Sequence, residues 1–451
     1  MRGNKVSRRS FLRSTGIASA GMVVPHLKSC AASDRLNIAV IGVGGRGEKN
    51  WEACQEENIV ALCDVDDAMA ANGFSRFPEA RRFRDFRVMF DQMEREIDAV
   101  IISTPNHTHF AATMAAMQLG KHVYLEKPLA HDIWQVRTLK KAAQYYKLVT
   151  QMGNQGHATN GIRTIKEWYE AGFLGEVTEV LAWFGGPNFK PGRYFKKPEH
   201  YPPKGEEVPK TLDWDLWLGQ AEKTSYNPCY HPRLWRGWYP FGNGLIGDWA
   251  CHTLDGPFWA LDPGIPYLAE AEFRTPSPEG FIPDQSVVRM EFSPGRSKTP
   301  VVFKWMEGGL KPEIRPQWHV NTLPDTGMIM VGDKRSLITG GRPDEVGLLI
   351  SDQERETIVA ELPGKTIPRV EGGPQQEWIR AIKGRGPAPG SSFDYAADLT
   401  EMILLGAMAQ RTNTRIEYDA DLMKVTNHRD FDRYLKEPVR EGWDYGMELW
   451  R

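Results

Sequence analysis

Short apolar runs punctuate the first third of the chain at Ile38–Ile41, Ile59–Leu62, Ala99–Ile102, His122–Leu125 and Leu148–Met152. Between them, apolar residues recur at helical spacing, as in His109–Leu119 and Trp134–Tyr146. Continuous apolar runs read as strands buried on both faces. Their alternation with amphipathic helices predicts βαβ units around a parallel sheet. Leu119-Gly120-Lys121-His122 places a helix stop directly before a strand.

After Gly153 the pattern changes. A helix is predicted over Ile162–Glu170 and a strand over Val177–Phe184. Residues 185–240 form a long irregular stretch rich in Pro, Trp and Tyr, and 247–260 read as helical. β-type runs recur at Ser286–Phe292, Val301–Trp305 and Met328–Val331, and helices return at Gln375–Ile382 and Ala396–Arg411. This is the pattern of an α+β domain on an open, largely antiparallel sheet. The expected organisation is a leader over 1–33, an α/β domain over 34–153, an α+β domain over 154–425 carrying the insertion 185–240, and a tail over 426–451. The 451 residues suit two domains.

Charge separates the leader from the rest. Residues 1–30 hold six of the 56 basic side chains and no acid, which leaves 50 basic against 58 acidic, a net of −8. A chain that acidic has no general attraction to nucleic acid. Ser7-Arg8-Arg9-Ser10-Phe11-Leu12-Arg13 has the form of a twin-arginine export signal, and a weakly apolar run, Thr15–Leu27, follows it. That run is 13 residues long and contains Pro25, against the roughly 20 that a membrane span needs. A periplasmic destination is therefore expected. Leu27-Lys28-Ser29-Cys30 resembles a lipobox that would make Cys30 a lipid anchor. Cleavage near Ala31-Ala32 without lipidation is the alternative. Cys54, Cys63, Cys229 and Cys251 fit no zinc spacing, so neither a metal nor a required disulfide is expected.

Ile38–Ile41 runs into Gly42-Val43-Gly44-Gly45-Arg46-Gly47, a strand followed by G-x-G-x-x-G at the start of a helix. Gly42 permits the tight turn, Gly44 admits a pyrophosphate to the backbone, and Gly47 lets helix and strand pack closely. The helix N-terminus adds partial positive charge for the phosphates. The second strand ends at Asp64, placed to bind both hydroxyls of an adenine ribose and to repel a 2′-phosphate. Asp66 and Asp67 follow with no basic residue beside them, so NAD is favoured over NADP.

Two further segments follow strand ends: Thr104-Pro105-Asn106-His107-Thr108-His109 and Glu126-Lys127-Pro128. With the glycine loop they resemble the Gfo/Idh/MocA family over about residues 36–425. Gly242-Asn243-Gly244-Leu245-Ile246-Gly247-Asp248-Trp249-Ala250-Cys251-His252-Thr253-Leu254-Asp255 is similar to that family's second-domain motif, with Asn243 and Ala250 in place of glycines. Gly256-Pro257 suggests that this helix kinks or ends early.

Asp248 and His252 are four residues apart and share a helix face. A carboxylate beside an imidazole raises its pKa and orients it. Alone, the pair reads first as an N-cap plus a core histidine, and the glycine loop and Glu126-Lys127-Pro128 reverse that preference. The resemblance implies catalytic roles for Lys127, Asp248 and His252. It also implies a cofactor pocket lined by Thr104, Pro105, Asn106, His109, Glu126 and Lys127. His107 reads either as a solvent-facing loop residue or as functional, and His157 is within reach of the same cleft.

The segments around Trp214 and Trp235 resemble the exported branch of the family. Their aromatic faces suit sugar C–H faces, which makes Tyr194, Arg233, Trp235 and Arg236 candidate substrate contacts. For any single one of these tryptophans, internal packing or a subunit interface is favoured over sugar contact. The resemblance therefore implies an exported NAD-dependent oxidoreductase that acts on a sugar with a retained cofactor, and a homo-oligomer formed through the second-domain sheet. An NAD-dependent glycosidase working by transient oxidation and elimination is the alternative. The intact Glu126-Lys127-Pro128 favours the dehydrogenase, because the α-N-acetylgalactosaminidase type departs from that motif. A binding protein with vestigial NAD is a third reading, opposed by the complete Lys127, Asp248 and His252 set.

Overall fold

Six parallel strands build the first sheet of the computed structural model: β1 (Asn37–Ile41), β2 (Asn58–Cys63), β3 (Arg81–Phe83), β4 (Ala99–Ile102), β5 (His122–Leu125) and β6 (Thr150–Met152). Their order is β3-β2-β1-β4-β5-β6. The order reverses between β1 and β4, so their outgoing loops diverge and leave a crevice beyond the strand ends. The apolar runs match the strands closely. The exception is β3, an Arg-Arg-Phe edge strand with no apolar run to announce it. The structure describes residues 34–186, 188–189, 195–294 and 299–451, so the leader with Cys30, and Tyr194, lie outside the described residues.

The second sheet has nine strands: β7 (Val177–Trp183), β8 (Leu268–Arg274), β9 (Ser286–Phe292), β10 (Val301–Glu307), β11 (Gly327–Gly332), β12 (Ser336–Gly340), β13 (Val346–Leu348), β14 (Ile416–Asp419) and β15 (Lys424–Val425). Its order is β13-β12-β11-β7-β10-β9-β8-β14-β15, antiparallel throughout except for the β7–β10 pair. Strand β9 shows the period of two: Ser286, Val288, Met290 and Phe292 are buried, and the residues between them are only half-buried. The buried face packs on the helix Phe393–Thr412, where Gly406 lets Val288 and Met290 approach its backbone. The same helix reaches the first domain through Arg137–Glu401 and Lys140–Asp398 ion pairs. Residues 36–451 form one compact unit.

On the other sheet face, the chain between β10 and β11 lays Trp318, Leu310 and Leu323 over Leu181, Trp183 and Ile329. Beside that cover, Glu272, Arg289, Glu291 and Lys304 form a charged lattice. Part of the face expected to mediate self-association is thus occupied by the chain itself.

The aromatic insertion is mostly packing. Trp214 and Trp217 stack at 4.5 Å, and Trp238 lies 4.6 Å from Phe281. His107 Nε2 lies 2.8 Å from the Trp217 carbonyl. His107 is buried, neither solvent-facing nor in the cleft, and it joins the insertion to the first domain. The segment after residue 425 crosses back over that domain. Trp443 packs on Phe86, Trp450 stacks on Trp134 at 5.9 Å, and Arg440 Nε donates to the Gly219 carbonyl at 2.7 Å. Among the described residues no helix is long and apolar enough to cross a membrane.

Candidate active site

The crevice between β1 and β4 opens into an interdomain cleft of about 480 Å³. On its first-domain side, Gly42 takes φ +80°, and a Cβ there would strike the Ser103 carbonyl at 2.8 Å. A Cβ on Gly47 would meet the Gly42 oxygen at 1.9 Å, so Gly47 packs behind the turn and does not line the cleft. Gly44, Gly45 and Arg46 do line it. Gly45 has φ +58° and nothing within 4 Å of its Cβ position, which leaves the backbone bare at the start of the helix Arg46–Glu52.

Asp64 closes β2. Its Oδ2 accepts from Val43 N (2.7 Å) and Gly44 N (3.3 Å), and its Oδ1 from Asp66 N (3.0 Å). Burial pushes its carboxyl above the usual carboxylate range, and these amides offset only part of that rise. Across the cleft, Thr104, Pro105, Asn106 and His109 come from the turn after β4. Thr104 Oγ1 is buried without a partner. His109 lies with one ring nitrogen 2.8 Å from the Thr104 carbonyl and the other 2.7 Å from that of Pro128, so it braces two loops. Glu126 Oε1 accepts from Arg46 Nε (3.0 Å), Asn50 Nδ2 (3.0 Å) and Gln155 Nε2 (3.1 Å). Its charge holds Arg46 at the helix start, above the cleft. A bare glycine turn, an unpartnered hydroxyl and an acid at the second strand end together fit a dinucleotide.

The second domain contributes the helix Gly244–Thr253, which ends at Leu254 before a second helix, Asp255–Leu261. Lys127 Nζ donates to the Asp248 carbonyl oxygen (2.6 Å) and to its Oδ1 (2.7 Å). Arg236 Nε donates to the same Oδ1 at 3.2 Å. Burial alone would raise the Asp248 carboxyl, but these two cations hold it far below the carboxylate range. His252 lines the same wall, with Nδ1 buried and unpartnered. Burial, then the charges of Lys127 and Arg342, hold it well below a free histidine, and Asp248 offsets only part of this.

Residues 36–154 match the oxidoreductase-family model described as an NAD-binding Rossmann fold, and residues 159–266 match its C-terminal alpha/beta domain. The chain belongs to the Gfo/Idh/MocA oxidoreductase family. A Glycosyl hydrolase family 109 protein from Solibacter usitatus is 29% identical over 199 residues, 39% of this chain and 45% of that protein. Levoglucosan dehydrogenase from Pseudarthrobacter phenanthrenivorans is 26% identical over 169 residues, 34% of this chain and 43% of that one. The chain thus spans less than half the length of these curated relatives. In fold it is similar to the WlbA dehydrogenase from Bordetella pertussis, solved with NADH and UDP-GlcNAcA. The TM-score is 0.59 at 16% identity, over 86% of this chain and all of that one. The cofactor of this Gfo/Idh/MocA chain is NAD.

Several expectations need correction. Asp248 does raise the pKa of His252, as the sequence implies, but its carboxylate is shared with Lys127 and Arg236, and burial and the charges of Lys127 and Arg342 outweigh it, so the histidine is shifted down overall. Asp67 does have a basic neighbour: Arg84, just after the unannounced strand β3, pairs with it and lines the cleft. His157 does not line the cleft. It is buried against Asp255, with Nδ1 3.0 Å from the carboxylate. Asn243, a departure from the family motif, accepts from Asn106 at 3.2 Å and so joins the Asp248 helix to the cofactor loop.

Arg233, Trp235 and Arg236 line the cleft as expected. Trp249, Gln155 and Arg342 also line it and went unread. Trp249 sat inside a recognised motif. Gly340-Gly341-Arg342-Pro343 looks like any surface turn, with nothing in its spacing to mark the arginine. Among the described residues no group of three His, Cys, Asp or Glu side chains could hold a metal.

Proposed function

We propose that the protein is an exported NAD-dependent oxidoreductase acting on a CH–OH group of a sugar or sugar derivative. The carrying observation is the meeting of Lys127, Asp248 and His252 in a cleft continuous with the glycine loop. Bound NAD⁺ supplies the hydride acceptor. His252, neutral in its surroundings, takes the hydroxyl proton as general base. Lys127 has three N–H donors, and Asp248 engages two. The third is available to the substrate oxygen, where it stabilises developing negative charge. Asp248 holds the lysine in that position. Tyr194, Arg233, Trp235 and Arg236 remain the proposed sugar contacts.

The twin-arginine leader supports export to the periplasm, with Cys30 as a lipid anchor. That route carries folded proteins, so NAD is loaded beforehand and retained, and a second carbonyl substrate reoxidises it in place. Self-association through the second-domain sheet completes this reading.

The glycosyl hydrolase relatives favour a second reading. A C3 hydroxyl is oxidised to a ketone, the C2 proton becomes acidic, elimination expels the glycosidic group, water adds, and the ketone is reduced again. That cycle needs no external redox partner. Purified protein carrying its cofactor, incubated with mono- and disaccharides and analysed by mass spectrometry, separates the two. Loss of a hydrogen pair marks oxidation, and cleavage marks hydrolysis. No change in any sugar defeats both.

A further inference from the structure

The turn Gly340–Asp344 brings Arg342 to the cleft from the second domain. Its backbone is held on both sides. Thr253 Oγ1, at the end of the His252 helix, donates to the Gly341 carbonyl at 2.9 Å. Thr159 Oγ1, the cap of the helix Asn160–Glu170, donates to the Pro343 carbonyl at 2.7 Å. The fit is close as well: a Cβ on Gly341 would lie 2.4 Å from Thr326 Cγ2, and one on Gly161 would lie 1.9 Å from the Pro343 oxygen. So tight a backbone presents an exposed side chain, whose guanidinium lies 5.5 Å from the Trp249 ring.

Three other arginines in this cleft answer to a carboxylate: Arg46 to Glu126, Arg84 to Asp67 and Arg236 to Asp248. Arg342 has no carboxylate partner among the described residues. Its position also opposes the proposed reaction, because taking a proton makes His252 cationic beside a second cation. An oxyanion on the substrate removes that opposition and supplies what a planar guanidinium binds best.

We propose that the sugar bears an oxyanion, a carboxylate or a phosphate or sulfate ester, and that Arg342 binds it beside His252. This rests on the carbohydrate reading above. NAD⁺ places its pyrophosphate at the glycine loop, where Arg46 stands, and so leaves Arg342 for the substrate.

The test is calorimetric titration of the NAD-loaded protein with glucuronate, galacturonate, glucose 6-phosphate and glucose 6-sulfate. Each is paired with its neutral parent sugar, and the uronates also with their methyl esters. At least one acidic series should bind about tenfold or more tightly than its neutral counterparts. Arg342→Ala should abolish that preference, and Arg342→Lys should keep part of it. Whether uronates or esters respond identifies the oxyanion. Equal binding of acidic and neutral sugars overturns the inference and leaves the carbohydrate reading standing. Loss of NAD affinity in Arg342→Ala, with the acid preference intact, also overturns it by assigning the guanidinium to the cofactor. Binding by no sugar of either kind removes both readings together.

Discussion

Lys127 and Asp248, 121 residues apart, meet through two contacts at once: the ammonium lies 2.6 Å from the aspartate's backbone oxygen and 2.7 Å from its carboxylate. The first fixes the lysine to the helix whatever residue stands at 248. The second needs the charge. Asp248→Asn should therefore keep the fold and NAD binding while loosening the lysine. Single-turnover hydride transfer should fall by about 10²–10⁴-fold in Asp248→Asn and in Lys127→Ala, the usual weight of a positioned acid–base group. The double variant should be little worse than either single one, since both act on one oxygen. Multiplicative losses would show that the two act separately.

His252 is held neutral by its burial and by neighbouring cations. A histidine in water is half-protonated near pH 6.5. Hydride transfer should therefore stay flat through about pH 6–7.5, its acid limb displaced downward from the free value. Arg342→Ala should move that limb upward, since one opposing charge is gone. His252→Ala should slow transfer by about 10²–10⁴-fold and leave NAD bound. A wild-type midpoint near 6.5 would contradict this account.

Asp64 serves two purposes, since the carboxylate facing the ribose site also ties down Val43 N and Gly44 N. Asp64→Ala should weaken NAD binding by about 1–3 kcal/mol, the scale of a lost charged hydrogen-bond partner. It should also loosen the turn, raising amide exchange at Val43 and Gly44. Titration of stripped protein with NAD⁺ and NADP⁺ measures the first, and a wild-type preference for NADP⁺ would overturn the role given to Asp64.

Three buried histidines set the acid response of the fold. Burial draws His107 down to about 3 and His109 to about 4, and His252 is also well below its free value. In the unfolded chain all three protonate near pH 6.5. Below that pH the unfolded state binds more protons, so stability is lost as pH falls from about 6.5 toward 4. Asp132, raised by burial to about 7, acts in the opposite sense over the same range, as do Asp64 and Glu307, which burial also raises. His122, which burial also lowers, adds to the three histidines, and together these outweigh the acids. Urea midpoints should fall steadily on acidification, and His109→Gln should lessen the slope. A midpoint independent of pH would refute the balance.

The reach of the sequence follows from what its signals encode. Apolar runs report burial, so β1, β2, β4 and β5 were legible, whereas Arg81–Phe83 pairs at a sheet edge with nothing to bury. The Asp248–His252 spacing put both on one helix face. It did not show which cation the carboxylate would meet, because Lys127 and Arg236 arrive from other elements. Arg342 was illegible for the same reason: its meaning lies in Thr253 and Thr159 pinning its neighbours. Sequence distance also hid the pairing of Arg84 with Asp67.

The strap formed by residues 426–451 ties the first domain to segments synthesised much later. Trp134 and Phe86 leave the ribosome long before Trp450 and Trp443, which cover them. A nascent nucleotide-binding domain is therefore made early but finished late, with two aromatic sites bare while the second sheet is still being translated. A chain stalled before the strap should be one that chaperones hold and proteases find.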